Sequence, residues 1–373
     1  MMNRTVRTIL YPLSLLVILQ LAPDSYAQNV NGQSQTEQGS STSSIAVLPI
    51  FAYTPETKLA FGTVATYYYR PGGATRESRP SSIIPVLIYT QQKQIVAQLL
   101  TDNYFQNERY RVKTETSYQK YPDKFYGVGS AVVTDNEELY TKVSAEFLIE
   151  GMQQVIPGLF IGMRYNYENF KLRDLEPGRL LASGNYTGID GGIMSGTGIL
   201  ISWDTRNSVT YPVRGKYITL TAGTYDKALG SDYNYRFVKI DARQYLPVNE
   251  KGVCVFNGII ELKNGDPPFH RLAMIGGENN LRGYFSGFYR DRNAAILQSE
   301  YRTFIWKQFG VAAFAGLGEV FRNTESMNLK DIRAAAGFGL RFNLIPEEIL
   351  NLRIDFGFGE NSSGMYITLS EAF

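Results

Sequence analysis

LRIDFGF, residues 352–358, sets Leu352, Ile354, Phe356 and Phe358 against Arg353, Asp355 and Gly357. Successive side chains of a β-strand point to opposite faces, so the stretch makes one apolar face and one charged face. FVKIDAR (237–243) does the same, with Val238, Ile240 and Ala242 opposing Lys239, Asp241 and Arg243. YITLTA (217–222) sets Ile218, Leu220 and Ala222 against Tyr217, Thr219 and Thr221. Charges on the buried face of a soluble sandwich are costly. In a wide membrane barrel that face lines a wet lumen while the apolar face meets lipid, and the same pattern costs little. The reading is all-β: a transmembrane antiparallel β-barrel.

Composition agrees with this reading. The chain holds 26 Tyr, 21 Phe and 35 Gly, yet only 44% of it is hydrophobic. A lipid-facing wall, a polar lumen and two aromatic girdles require that mixture. A water-soluble α/β enzyme shares the composition, and the period-two alternation separates the two. A net charge of +2 gives no electrostatic case for nucleic acid as a partner. Cys254 is the only cysteine, so no disulfide forms within the chain. No apolar run reaches the roughly 18 residues of a membrane-spanning helix.

Arg4 and Arg7, the apolar stretch Ile9 to Ala22 and the small residues of Ser25-Tyr26-Ala27 read as a secretory signal peptide over 1–27. Residues 28–44 (QNVNGQSQTEQGSSTSS) read as a flexible polar periplasmic tail. From 45 to 373 the chain is a series of alternating segments separated by turn residues, the barrel domain. About sixteen strands fit, an even number as a closed single-chain bacterial barrel requires. The sixth is placed at 136–150 and the seventh at 152–168. The last runs from 364 to 373, with Ile367, Leu369 and Phe373 on one face, and Phe373 is the expected C-terminal assembly signal. With the first strand rising from the periplasm, DTRNSVTYPVRG (204–215) is a periplasmic turn. There Asp204 and Arg206 start the turn, Pro212 fixes φ and Gly215 permits the reversal. The connection Asn264 to Arg292 is then extracellular, and its length marks it as functional or disordered.

Catalytic and metal chemistry find little support. His270 is the only histidine, so any Ser-His-Asp arrangement must use it, and a solvated loop histidine is the plainer reading. One histidine and one cysteine leave no nitrogen–sulfur metal site. Gly276-Gly277 lacks the strand–turn–helix setting and the lysine of a phosphate loop. Neither an enzyme nor a cofactor is expected.

Six short motifs occur in a recognisable order: SWDTRNSVTYPVRGKY (202–217), GGENNLRGY (276–284), QSEYR (298–302), GVAAFAGLGEV (310–320), AGFGLRFNLIP (336–346) and the closing strand. With FAYTPETKLAFG (51–62) and FYGVGS (125–130), they resemble the BamA/TamA superfamily of bacterial surface-antigen barrels over essentially all of 45–373. The resemblance implies an outer-membrane location and insertion or translocation of proteins or lipids. A passive channel, or a hydrolase using His270, is the alternative. It also implies that Arg282 of L-R-G-Y lies on a long extracellular loop folded into the lumen and pairs there with acids of the inner wall. Gly283 and Tyr284 then support the turn, Glu300 is the first counter-charge, and Arg302 and Arg341 join the cluster. Two departures stand out. The family's F-x-D-x-G is Phe314-Ala315-Gly316-Leu317-Gly318 here, which leaves Arg282 to Glu300 alone or with Glu319. No space for a periplasmic POTRA domain lies between the signal and the first strand. The implied partners are outer-membrane lipids and lipopolysaccharide, client outer-membrane proteins and a separate periplasmic partner.

Overall fold

The computed structural model describes residues 44–71, 80–183, 185–345 and 349–373. The expected signal peptide, the polar tail up to residue 43, and Pro346 lie outside the described residues. The first half of the wall is β1 (Ser44–Thr54), β2 (Lys58–Tyr69), β3 (Ser81–Thr90), β4 (Ile95–Phe105), β5 (Tyr110–Phe125), β6 (Glu138–Ile156), β7 (Leu159–Arg173) and β8 (Gly192–Asp204). It continues with β9 (Gly215–Tyr225), β10 (Tyr235–Pro247) and β11 (Gly252–Gly265). A long connection carrying the short β12 (Ala273–Ile275) and β13 (Tyr289–Asp291) follows. The wall ends with β14 (Asn293–Trp306), β15 (Phe309–Phe321), β16 (Arg333–Ile345), β17 (Leu350–Gly359) and β18 (Ser362–Leu369).

Sixteen of these strands close into one antiparallel barrel in which β18 meets β1, while β12 and β13 form a separate two-stranded ribbon. We call the rim bearing the 266–292 connection the upper rim. The alternation read in 352–358 is the alternation of the wall. Leu297, Phe338, Leu340 and Phe358 point outward and exposed, whereas Glu300, Arg302, Arg341, Arg353 and Asp355 are buried inside. At the lower rim Trp306 stacks on Phe309, and Phe342 packs against Phe309 at a tilt, as an aromatic girdle requires.

Three elements depart from the expectation. β6 runs through Gly151, which pairs with both Val112 and Met163, to Ile156. A glycine in register on both sides does not end a strand. The reversal falls at Pro157-Gly158, where Gly158 takes φ +82° and a Cβ would sit 2.6 Å from the Asp204 carbonyl. The last strand stops at Leu369. Ser370 adopts φ +68° and turns the chain inward. Finally, the inner face of β1–β3 and the start of β4 is largely apolar rather than charged, and Asp102 near the end of β4 pairs with Arg111. Ile50, Ala52, Ala60, Val64, Ile84, Val86, Ile88 and Val96 form one buried cluster with Tyr121. Around this cluster the wall is apolar on both faces, because its inner side chains pack on one another.

The face assignment carries a direct consequence. Leu297, 61% exposed near the middle of β14, faces lipid. Leu297→Arg is expected to cost about 2–4 kcal/mol, while Thr221→Arg on the lumen face of β9 costs much less. Urea unfolding of both variants from lipid vesicles checks the difference.

Candidate functional site in the barrel lumen

The connection after β11 folds into the barrel. Ile275, Leu281, Tyr284 and Tyr289 of the connection pack with Ile259, Ile296, Val320 and Ala335 of the wall. Within GGENNLRGY, Gly276 N–H donates to the Asn280 carbonyl at 2.6 Å and Gly277 N–H to the Tyr284 carbonyl at 2.9 Å. These bonds close a tight loop with Arg282 at its tip. Leu281 N–H donates to Gln298 Oε1 at 2.8 Å. Gly283, at φ +121°, lies directly on the backbone of β17, where a Cβ would stand 2.8 Å from the Phe358 carbonyl carbon. Across the contact, a Cβ on Gly357 would stand 2.6 Å from the Arg282 carbonyl carbon. Only glycine on both sides permits this approach. Tyr284 lays its ring over Gly359, donates to the Ala334 carbonyl at 2.9 Å and accepts from Glu360 N–H at 2.8 Å.

At the tip Arg282 meets two carboxylates. One nitrogen lies 2.5 Å from Glu300 Oε2 and the other donates to Asp355 Oδ2. Its guanidinium carbon sits 3.5 Å from the centre of the Phe314 ring, a cation–π contact inside the protein. Arg302 reaches Glu300 at 3.3 Å. Arg341 reaches Asp355 at 2.6 Å, Glu300 at 3.6 Å and Glu371 at 2.8 Å. Arg353 lies 3.4 Å from Asp355 and 3.9 Å from Glu278. The residues expected together (Arg282, Glu300, Arg302 and Arg341) do come together. Asp355 was missed, although it belongs to the stretch that decides the fold. Gly316, where the family places aspartate, is filled instead by Leu281, whose Cδ1 would be 2.9 Å from a Cβ there. Glu319 accepts from Asn328 N–H at 2.8 Å near the upper rim and forms no described bond with Arg282.

The cluster is closed from below by two segments. In the β8–β9 connector, Arg206 grips Asp204 through Nε at 3.0 Å and Nη2 at 2.9 Å, and Gly215 takes φ +99°. This connector does more than turn. Its Pro212 carbonyl accepts from Arg302 at 2.9 Å, and Tyr211 lies under the same guanidinium at 4.9 Å. The second segment follows β18. Phe373, expected on a strand face with Ile367 and Leu369, is instead buried in the lumen with Ala372, against Tyr217, Tyr245, Val253 and Val255. The inward turn at Ser370 takes it there.

The Omp85 superfamily domain matches residues 86–373. The chain belongs to the Omp85 superfamily. It is an outer-membrane β-barrel, in agreement with the family expected from the motifs. Similar solved structures include BamA from Haemophilus ducreyi in a form lacking POTRA domains 1-3, at TM-score 0.61 and 16% identity over 89% of this chain and 70% of that one. CdiB from Acinetobacter baumannii matches at 0.54 and 10%, over 89% and 66% of the two chains. CdiB from Escherichia coli matches at 0.58 and 9%, over 90% and 64%. This chain therefore spans just under two thirds of the length of the CdiB chains. At such identities the likeness shows the fold. No curated protein sequence matches the chain.

The lumen of this Omp85 barrel holds a second anchor of the same loop, on the opposite wall. Arg271 donates through Nε to Glu168 Oε2 at 2.8 Å and lies 3.1 Å from Glu146. Lys142 reaches Glu168 at 3.1 Å. His270, read as a solvated loop residue, is buried here, with Nε2 3.3 Å from Glu168 and its ring 4.2 Å from that of Phe170. Burial pushes its imidazole down to about 4, so at neutral pH it is uncharged. Its Nδ1 has no hydrogen-bond partner among the described residues, so no serine is aligned with it as in a hydrolytic triad. The sequence signal for this anchor is weak, since Glu168 and Arg271 lie 103 residues apart.

Proposed function

We propose that this Omp85 barrel inserts or translocates client proteins at the outer membrane through its β1–β18 seam, with Arg282 as the latch that holds the lumen loop in place. The observation that carries the reading is the seam itself. Among the described residues its register is one pair, Tyr53 opposite Ile367, whereas β17 and β18 are in register from Leu352–Leu369 to Gly359–Ser362. A wall of otherwise continuous ladders parts most easily there. Outer-membrane lipids and lipopolysaccharide surround the apolar wall, and a separate periplasmic protein supplies clients. The loop above, with the β8–β9 connector and residues 370–373 below, speaks against a standing open channel.

The test locks the seam. Register partners in antiparallel strands lie at Cα separations of about 4.5–5.5 Å, within disulfide reach. Tyr53→Cys with Ile367→Cys, in a Cys254→Ala background, is expected to lower the levels of client outer-membrane proteins when oxidised and to restore them on reduction. Full assembly with the lock closed overturns the reading. So does depletion of the protein that leaves both the proteins and the lipids of the outer membrane unchanged.

A further inference from the structure

We infer that the outer wall of β5–β7 carries a binding site for the phosphorylated headgroup of an outer-leaflet glycolipid, built from Lys120, Lys171 and Arg173. The inference deepens the lipid contact proposed above and rests on the upper rim facing the outside of the cell. Register sets the three cations side by side. Lys120 of β5 lies opposite Val143 of β6, and Val143 opposite Lys171 of β7. Arg173 stands two residues above Lys171 on the same face, opposite Thr141. All three are exposed. They point outward, because Tyr121 and Phe170 beside them are buried inside the barrel, and Lys142, next to Val143, turns inward to Glu168. Elsewhere on the described strands the outward charges are scattered. Lys216 sits at the lower rim over the Trp203 ring, Arg236 stands alone on β10, and Glu319 is buried against Asn328. Lys124, at the end of β5, is already held by Glu137 at 2.7 Å.

The height of the patch fits a headgroup. Lys120 pairs with Ile95, the first residue of β4, and Lys171 follows Phe170, the last β7 residue in register with β8. The cations therefore lie where β5–β7 rise past their neighbours, at the upper edge of the lipid-facing wall. A charge there is cheap, whereas at the bilayer midplane it is costly. One row down, Tyr118, Ala145 and Asn169 line up, and below them Thr116, Phe147 and Tyr167. Tyr118 and Phe147 are exposed. Cations above aromatic and small side chains match a lipid that carries phosphate above acyl chains, and a free phosphate would use only the upper part. Lys120 and Lys171 are two strands apart, about 10 Å between Cα atoms, so their flexible ammonium groups close on one phosphate from both sides. Arg173 adds a planar fork suited to the same oxygens. None of the three has an ion-pair partner among the described residues, and Asp174, which follows Arg173, makes none with it.

Native mass spectrometry of the barrel tests the site with three probes: bisphosphorylated lipid A, the same lipid without its phosphates, and phosphatidylglycerol. The wild-type barrel is expected to retain phosphorylated lipid A several-fold better than either of the others, a comparison that needs no variant. The combined variant Lys120→Gln, Lys171→Gln, Arg173→Gln removes charge from a lipid-facing wall and is expected to lose that preference, while Arg236→Gln keeps it. Equal retention of the two forms of lipid A by the wild-type barrel overturns the site, as does undiminished retention by the folded combined variant. Phosphatidylglycerol held as well as lipid A overturns the assignment to a glycolipid, and full displacement by millimolar inorganic phosphate overturns the assignment to a lipid. A variant that loses a dimer rather than bound lipid assigns the patch to a second copy of the chain and overturns it too. Client levels do not enter this readout, so the seam reading stands or falls separately.

Discussion

Arg282→Ala is expected to destabilise the barrel by about 3 kcal/mol, at the lower end of what removing one partner of a buried ion pair costs. The guanidinium bridges Glu300 and Asp355, each with a fully buried side chain. Without it, two carboxylates lose their shared cation in a place water does not reach. The cost stays at the lower end because the neighbours can redistribute. Arg302 and Arg341 already touch Glu300, and Arg341 and Arg353 already touch Asp355. Arg282→Lys keeps the charge but loses the planar fork that serves two acids at once, so its effect is intermediate. The loop tip also loses its stack on Phe314. Gly283, which rests on bare β17 backbone, is then held by its N–H bond to Tyr366 Oη at 3.1 Å and by the bond its carbonyl accepts from Ser362 Oγ at 2.7 Å. Urea unfolding from lipid vesicles reads the stability. Protease cleavage at Arg290 or Arg292 in whole cells reads the release of the loop, and client assembly should fall with it. A wild-type midpoint in Arg282→Ala would mean that the cluster is decoration.

The strands and their faces were legible because alternation is a local property. Leu352 to Phe358 declares its two faces whatever the rest of the chain does. The same logic shows why β1–β4 differ. Their inward residues, such as Ile84, Val86 and Ile88, are as apolar as their outward ones, a run that reads as buried on both sides. Asp355 was visible as a wall charge but not as the second acid for Arg282. The family motif points to Gly316 on β15, and only the closed barrel brings β14, β16 and β17 around one loop tip. The space at Gly316 is taken by the Leu281 side chain, and the second acid for Arg282 stands on β17. The tail failed for a different reason. Period-two alternation continues formally through Phe373, and a single left-handed residue at Ser370 redirects it. The anchor at Glu168 has no local signature, because it depends on a loop crossing the lumen.

That anchor supports the second large effect. Glu168→Gln is expected to cost about 3–5 kcal/mol, because it leaves Lys142 and Arg271 buried with Glu146 as the remaining acid nearby. Glu146 is already engaged by Asn166 Nδ2 at 2.6 Å, and His270, whose imidazole carries no negative charge in any state, cannot stand in for the lost carboxylate. The amide keeps one acceptor but cannot balance two cations. Combining this change with Arg282→Ala asks how the loop is held. The two anchors share no partner, and sites without shared partners add to within about 0.5 kcal/mol. Between them lie β12, paired to β13, and Ile275 and Leu281, buried against the wall. This middle section stays seated when either end is freed, so the double variant should lose close to the sum of the single losses. If the loop instead leaves the lumen as one body, the first change already forfeits both anchors and the second costs little more. A shortfall of more than about 1 kcal/mol in the double variant, twice the usual scatter of additive pairs, therefore overturns two separate anchors in favour of a single rigid plug.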